Sequence, residues 1–282
     1  MSAQLLRVWP GWILHLVLVA GAFVMVYPVL WMASESFKPP QEVVTNLGLL
    51  PHQPTLDNYR LGWTALRTPF SGFFVNSLVL CSLAALGNVV SCSLAAFAFA
   101  RLRFPLKRVL FGAMLLTIML PFQATIVPQY ILFLRLGWVG TVLPILAPKY
   151  LAVDTFFVFL LVQFIRSIPT ALDDAAKIDG CGPFRTFGWI ILPLLAPALA
   201  TTAIFTFIWT WNDFFSQLLY LGNSVDTYTV PVALRAFVDS SGQSSWGQML
   251  AMSLLSLVPI FVFFVAFQRL LLEGISTTGL RG

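Results

Sequence analysis

The chain has 282 residues, of which 59% are hydrophobic and only 10% are charged, whereas soluble domains carry about 25% charged residues. With a mean hydropathy of +0.87, this composition excludes an ordinary soluble protein and predicts an integral membrane protein. The net charge of +5 is then interpreted as the excess of Lys and Arg that fixes membrane orientation, and not as a nucleic-acid signal.

The apolar residues fall into six continuous segments, each close to the 20 or so residues that a spanning helix needs. The predicted spans are 11–33, 72–99, 108–132, 143–165, 195–219 and 249–271. Because the runs do not alternate between apolar and polar residues, they exclude a β-barrel. The sequence therefore predicts an all-α integral membrane protein. We expect a first span with an outer loop over 1–71, a transmembrane core over 72–271 and a tail over 272–282.

The connection between the second and third spans predicts the orientation. It reads ARLRFPLKR, with four cations and no acid, so the positive-inside rule places it in the cytoplasm. Both termini and the connection at 166–193, called the central loop below, are then also cytoplasmic. Ten cations fall inside: Arg7, Arg101, Arg103, Lys107, Arg108, Arg166, Lys177, Arg185, Arg269 and Arg281. Six fall outside: Lys38, Arg60, Arg67, Arg135, Lys149 and Arg235.

The central loop contains the stretch DDAAKIDGCGPFRTFGWIILP, which begins at Asp173 and is too polar to cross a bilayer. Acids near its start favour a helix N-terminus, and Gly180 is placed to end that helix with a positive φ. Pro183 suits the first position of a second helix. An amphipathic helix lying in headgroups is one interpretation. The weak apolar face favours the other, a short helix that docks on a soluble partner.

At this stretch the sequence resembles a known family. DAAKIDG, nine residues and then IILP are similar to the E-A-A-x3-G-x9-I-x-L-P loop of binding-protein-dependent ABC importer permeases. Asp174 stands where the family usually has Glu. The other matching positions are Ala175, Ala176, Gly180, Ile190, Leu192 and Pro193.

Further motifs extend the resemblance over nearly the whole chain. They are SFKPP, PTLDNYR, NSL, AFARLRFP, RSIP, LPLLAPALA and WNDF, in chain order. Together they are similar to the carbohydrate-uptake branch, and within it to the maltose-type second permease subunit.

The resemblance implies a type I ABC importer permease fold with six transmembrane helices and a cytoplasmic coupling helix, in a bacterial or archaeal cytoplasmic membrane. It implies four partners: a homologous second permease, two ATPase subunits that dock on the 173–193 stretch, and an extracytoplasmic solute-binding protein. The implied substrate is a sugar or oligosaccharide. ATP and Mg belong to the ATPase subunits, and this chain has no G-x4-G-K-[ST] phosphate loop. The C-terminal residues 275–282 are expected to add a second ATPase contact.

Two alternatives stay open at this point. One is an ABC permease for a polyol or a glycerol phosphate. The other, from a different class, is an ion-coupled secondary transporter, which would need a titratable group within the membrane. The acids that fall in the predicted spans are Asp154 and Asp213.

Polar residues in the spans are the candidates for the substrate path, because they are costly in lipid. These are Asp154, Asn212 and Asp213. The competing interpretation is structural hydrogen bonding, which we favour for Asn212 and Asp213, as well as for Asn76 and Asn88. No Cys, His and acidic residues occur at ligand spacing, so neither a metal site nor a catalytic site is expected. The three cysteines are expected to be free thiols.

Overall fold

The computed structural model describes residues 11–46, 48–222, 224–239 and 245–279; the side chains of 11, 44, 239 and 269–279 lie outside this description. Every element in these ranges is helical. Among the described residues, those within 1–70 and 234–258 form one compact unit, and those within 71–233 and 259–282 form another. The division predicted from the sequence, into 1–71, 72–271 and 272–282, stays a prediction.

The first unit begins with three helices. They are α1 (Gly11–Ser36), α2 (Pro40–Thr45) and α3 (Asp57–Thr64). The most apolar 18-residue stretch of α1 is not buried against any other part of the described chain. A helix that is apolar all round and unburied needs lipid or another protein around it.

A buried polar core orders the loop that follows α1. Lys38 is fully buried, and its Nζ donates to Glu35 Oε1 at 2.5 Å and to the carbonyl oxygens of Asn46 and Gly48. Asn58 Nδ2 donates to the backbone carbonyls of Ser36 and Lys38. These bonds join the SFKPP and PTLDNYR motifs.

The remaining helices lie in the second unit, except that Phe70 at the start of the first of these helices and parts of the last two belong to the first unit. They are α4 (Phe70–Arg101), α5 (Lys107–Thr117), α6 (Phe122–Arg135), α7 (Leu143–Tyr150), α8 (Thr155–Ser167), α9 (Ala171–Ile178), α10 (Pro183–Thr186), α11 (Leu192–Leu194), α12 (Ala196–Asn212), α13 (Phe214–Leu221), α14 (Val230–Asp239) and α15 (Trp246–Gly279). A π turn (Phe187–Ile191) joins α10 to α11, and a short 3-10 turn (Val225–Thr227) precedes α14. Their core holds fully buried residues of α4 and α8, such as Cys92, Phe157 and Leu161, together with Ile191 and Leu195.

Several predicted spans are broken rather than continuous. The span predicted at 108–132 consists of α5 and α6, which meet at an angle of 103°. Pro121 lies at this bend, and its missing N–H cannot continue the ladder of α5. The span predicted at 195–219 is α12 followed, after Asp213, by α13. The segment from Pro183 to Leu194 meets α12 at 77°.

The described residues contain four to six candidate spans, a range that includes the predicted six. Four helical segments in the described ranges are long and apolar enough to cross a membrane: Trp12–Ser36, Phe70–Arg101, Leu143–Ser167 and Trp246–Gln268. Two bent pairs bring the number to six when each pair is one span. Cys81, Cys92 and Cys181 are free thiols, as predicted.

Candidate functional site

The first half of the central loop is a short helix, α9, with a C-terminal cap. Two residues after the end of α9, Gly180 has φ +75°, which confirms the predicted positive φ. Its N–H donates to the Lys177 carbonyl at 3.0 Å, and the Cys181 N–H donates to the Ala176 carbonyl at 2.8 Å. These two bonds form a Schellman motif, which satisfies carbonyls that the end of a helix would otherwise leave free. The cap fixes where α9 stops and where the chain turns.

An ion pair attaches α9 to the end of α4. Arg101 Nε lies 2.9 Å from Asp173 Oδ2, and the two side chains are only 10% and 12% exposed. Arg101 Nη2 also donates to the Ile168 carbonyl at 2.7 Å. Because Asp173 is in the first turn of α9, the pair connects the start of this helix to the C-terminal end of α4. Sequence reasoning missed this pair, since Arg101 counted only as a topology signal.

The two alanines of the matched motif face opposite ways. Ala176 is 2% exposed, while Ala175 is exposed. Next to Ala175 on the exposed face, Lys177 Nζ and Asp174 Oδ1 form an i,i+3 pair at 2.9 Å. Ala176 therefore packs α9 inward, and the surface around Ala175 remains available to a partner.

The second half of the central loop starts as predicted. Gly182 is extended, and Pro183 occupies the first position of α10. The π turn then carries the chain to α11, and such turns are rare and often occur at functional positions. Of the matched residues in this part, Ile190 and Leu192 are half-buried and Pro193 is exposed.

Large apolar side chains project from the central loop. Ile178 is 87% exposed, Phe184 85% and Trp189 83%. We call these three residues the apolar triad. The central loop also lines a groove of about 670 Å³, whose walls include Arg101, Arg103, Asp174 and Lys177. Apolar side chains at this exposure on a polar loop indicate a contact with another protein or with the membrane. The sequence pattern did not single out the triad, because its members are scattered among polar residues.

A second polar cluster lies within the fourth predicted span. Asp154 Oδ2 accepts from Lys149 Nζ at 2.7 Å and from Asn88 Nδ2 at 2.5 Å. Asn88 also donates to Thr206 Oγ1 at 3.0 Å. Two expectations change here. Lys149 belongs to α7 and not to an outer loop, and Asp154 lies at the break between α7 and α8, where a continuous helix was expected.

The other two polar candidates bond locally. Asn212 Nδ2 donates to the Ile208 carbonyl, one turn back in α12. Asp213 caps α13, since its Oδ1 accepts from the Ser216 N–H at 3.0 Å. These contacts show what the residues do within the chain, and contact with a substrate stays a prediction. In the described ranges, no group of three or more His, Cys, Asp and Glu side chains is arranged to hold a metal ion.

Known proteins resemble this chain over most of its length. The family model described as "Binding-protein-dependent transport system inner membrane component" matches residues 87–276. The trehalose transport system permease protein SugB of Mycobacterium tuberculosis is 35% identical, over 90% of this chain and 92% of its own. The trehalose/maltose transport system permease protein MalG of Thermococcus litoralis is 32% identical, over 95% and 97%.

The fold also has a counterpart among solved structures. A chain from a bacterial ABC transporter involved in the import of the acidic polysaccharide alginate superposes with a TM-score of 0.82. The match covers 95% of this chain and 98% of the other, at 19% identity. It confirms the predicted fold.

Proposed function

Because this chain belongs to the family of binding-protein-dependent transport system inner membrane components, we propose that it is one of two permease subunits of an ATP-driven importer for a sugar or oligosaccharide. The single observation that carries the proposal is the central loop, which is ion-paired to α4 and exposes the apolar triad. The expected partners are a homologous permease, two ATPase subunits and an extracytoplasmic solute-binding protein.

The central loop is the proposed docking element for an ATPase subunit. Phe184 and Trp189 provide apolar area, and burying one such side chain stabilises a complex by about 1.5–3 kcal/mol. Asp174 and Ala175 lie on the exposed face of α9, where they contact the walls of the partner's groove. Gly180, Ile190, Leu192 and Pro193 shape the loop around that contact.

In the proposed mechanism, ATP hydrolysis and substrate passage take place on different subunits. The ATPase subunits hold ATP and Mg, and the membrane chain performs no catalysis of its own. When the ATPases close, they pull the central loop, and the Arg101–Asp173 pair passes that displacement to α4. Since α4 is a spanning helix of 32 residues, this movement reorients the walls of the transport path.

The direction of the chain in the membrane follows the same proposal. The central loop and both termini face the cytoplasm, where ATP is available. Arg7 and Arg281, which support this orientation, lie outside the described residues, as do residues 280–282 of the tail. The membrane is the cytoplasmic membrane of a bacterium or archaeon.

The relatives described above are named for trehalose and maltose transport, which supports a sugar as the substrate here. A glycerol phosphate permease is also represented among the relatives, at 29% identity. Competition separates the two: excess trehalose or maltose should inhibit binding-protein-dependent uptake, and glycerol 3-phosphate should not.

Docking is tested by co-purification. Tagged chain, expressed with its neighbouring transporter genes, should yield one copy of itself, one homologous permease and two ATPase subunits. Phe184→Ser should weaken ATPase retention by about tenfold to a hundredfold, the equivalent of the apolar burial lost. The matched control is Leu106→Asn, which removes an exposed apolar residue outside the central loop at a position with φ 59°.

The control should leave ATPase retention unchanged. Equal retention by Phe184→Ser and wild type would contradict the docking role. A functional homodimer that imports sugar without a second permease would contradict the proposed assembly.

A further inference from the structure

We propose that the Lys149–Asp154 ion pair is a polar subsite on the water-filled transport path, where it binds hydroxyl groups of the passing sugar. The inference rests on the proposed function for the identity of the substrate. The position of the pair on an aqueous path is argued from the chain alone.

The backbone around the pair is irregular at a depth where irregular backbone is costly. Between α7 and α8, Ala152 has φ +54°, while Leu151 is 72% exposed and Val153 59%. Both helices belong to one apolar segment, Leu143–Ser167. Non-helical backbone within a bilayer is tolerated only where protein buries it or water lines it. The break therefore faces a partner chain or an aqueous cavity.

The exposure of the two charged side chains favours the aqueous cavity over the partner chain. The side chains of Lys149 and Asp154 are 22% and 27% exposed, so each has surface that the chain itself does not cover. Charged side chains within a span almost always face the interior of the bundle or a water-filled cavity. A path that carries sugar through the membrane supplies that water.

Asp154 is held in a way that favours ligand binding over helix capping. It occupies the N-cap of α8, yet its side chain accepts no capping bond, although Asp is among the best N-cap residues. Both of its contacts use Oδ2, so within the described chain Oδ1 is left to accept from a hydroxyl. Lys149 uses one of its three donors on Asp154.

Buried residues behind the pair fix its position. Asn88 is fully buried and Thr206 is 1% exposed, and the bond between them locks the side chain that holds Asp154. Ser91 Oγ donates to the Lys149 carbonyl at 2.6 Å. A binding group works best when packed neighbours hold it in place.

The pair indicates the chemical class of the ligand. Its two charges cancel, and it offers one free acceptor next to free donors. That set matches an uncharged polyhydroxylated molecule, whose neighbouring hydroxyls each donate and accept. An anion such as a phosphate would instead need an excess of positive charge.

Cysteine labelling tests the aqueous location without altering the pair. Val153→Cys, made with Cys181→Ser in the assembled complex in phosphatidylethanolamine/phosphatidylglycerol nanodiscs, is treated with a membrane-impermeant sulfonated methanethiosulfonate. The native Cys81 and Cys92 are fully buried. The control is Met25→Cys, in the middle of the apolar helix α1, which should not react. Val153→Cys should react at least tenfold faster, with or without ATP and vanadate.

Absence of labelling at Val153→Cys in both nucleotide states would overturn the inference and assign the break to contact with the second permease. Uptake of radiolabelled trehalose and maltose then tests the ligand. For whichever sugar the wild-type complex transports, Asp154→Asn should raise the apparent KM about tenfold, the usual effect of losing a charged hydrogen bond. Stimulation of ATP hydrolysis by the loaded binding protein should persist.

The transported sugar should also slow labelling at Val153→Cys, an outcome that does not depend on whether the Asp154 variant assembles. Labelling that the sugar does not slow would refute the subsite while leaving the aqueous path in place. If the wild-type complex takes up neither sugar, the sugar assignment under the proposed function fails, while labelling at Val153→Cys still decides where the break lies.

Discussion

Gly180 offers a graded test of the central loop. Its φ of +75° suits glycine, and a Cβ added there would meet nothing within 4 Å. The cost of a substitution is therefore that of the backbone conformation alone. A left-handed conformation costs an L-residue about 1–2 kcal/mol. The cost is smaller for Asn, which adopts this region more readily, and larger for a β-branched residue.

We expect the substitutions to follow that order. Gly180→Asn should be close to wild type, Gly180→Ala should cost about 1 kcal/mol, and Gly180→Val about 2 kcal/mol or more. A penalty of 1.4 kcal/mol is a tenfold change in an equilibrium. The helix that Gly180 caps, α9, has only eight residues. A helix this short has little intrinsic stability, so a strained cap is expected to displace or unwind its end.

The assay is ATP hydrolysis by the complex in proteoliposomes, with and without sugar-loaded binding protein. Gly180→Val should insert normally, yet its hydrolysis should no longer respond to the binding protein, and uptake should fall. The matched control is Gly182→Ala, where φ is −74° and space is also open; it should behave as wild type. Normal coupling by Gly180→Val, or equal damage from Asn and Val, would refute the argument from backbone conformation.

Three further predictions test other contacts. Arg101→Met leaves the Asp173 carboxylate, 12% exposed, without its ion pair, and should lower the stability of the complex by about 3 kcal/mol; an unchanged melting temperature would contradict this. The pKa of Glu42 is lowered to about 2, mainly by a hydrogen bond from the His52 backbone N–H and next by one from the Asn46 side chain. Its stabilisation of the outer loop should persist down to about pH 4.5 and disappear as pH falls through 2, and limited proteolysis of wild type against Glu42→Gln measures this. At Gly87 an added Cβ would lie 2.6 Å from the Tyr150 ring, so Gly87→Ala should lower the free energy of unfolding by about 1–3 kcal/mol. The control Gly112→Ala, with nothing within 4 Å, should be neutral or slightly stabilising, and a thermal melt measures both.

Much of the central loop could be predicted from the sequence because its signals are local. Gly180 ends α9 and Pro183 begins α10, since each residue type prefers the backbone conformation that its position requires. The apolar segments were equally visible, because a span has to be apolar over its whole length.

The breaks and pairings could not be predicted, since they depend on contacts between distant positions. Ala152 adopts a positive φ, yet alanine normally favours a helix, so nothing in the sequence marks the break beside it. The bond that joins Asn88 to Asp154 spans 66 positions. Arg101 was informative as a charge, but its partner Asp173 became evident only when the end of α4 was seen beside α9.

We propose that this chain imports sugar by coupling to ATPase subunits through the central loop. The most direct measurement is uptake of radiolabelled trehalose and maltose into proteoliposomes that contain the full complex, with ATP inside and binding protein outside. Uptake of at least one sugar should require ATP, binding protein and this chain together, and should be abolished by omitting any of them. Uptake that proceeds without ATP when a proton or sodium gradient is imposed would contradict the account.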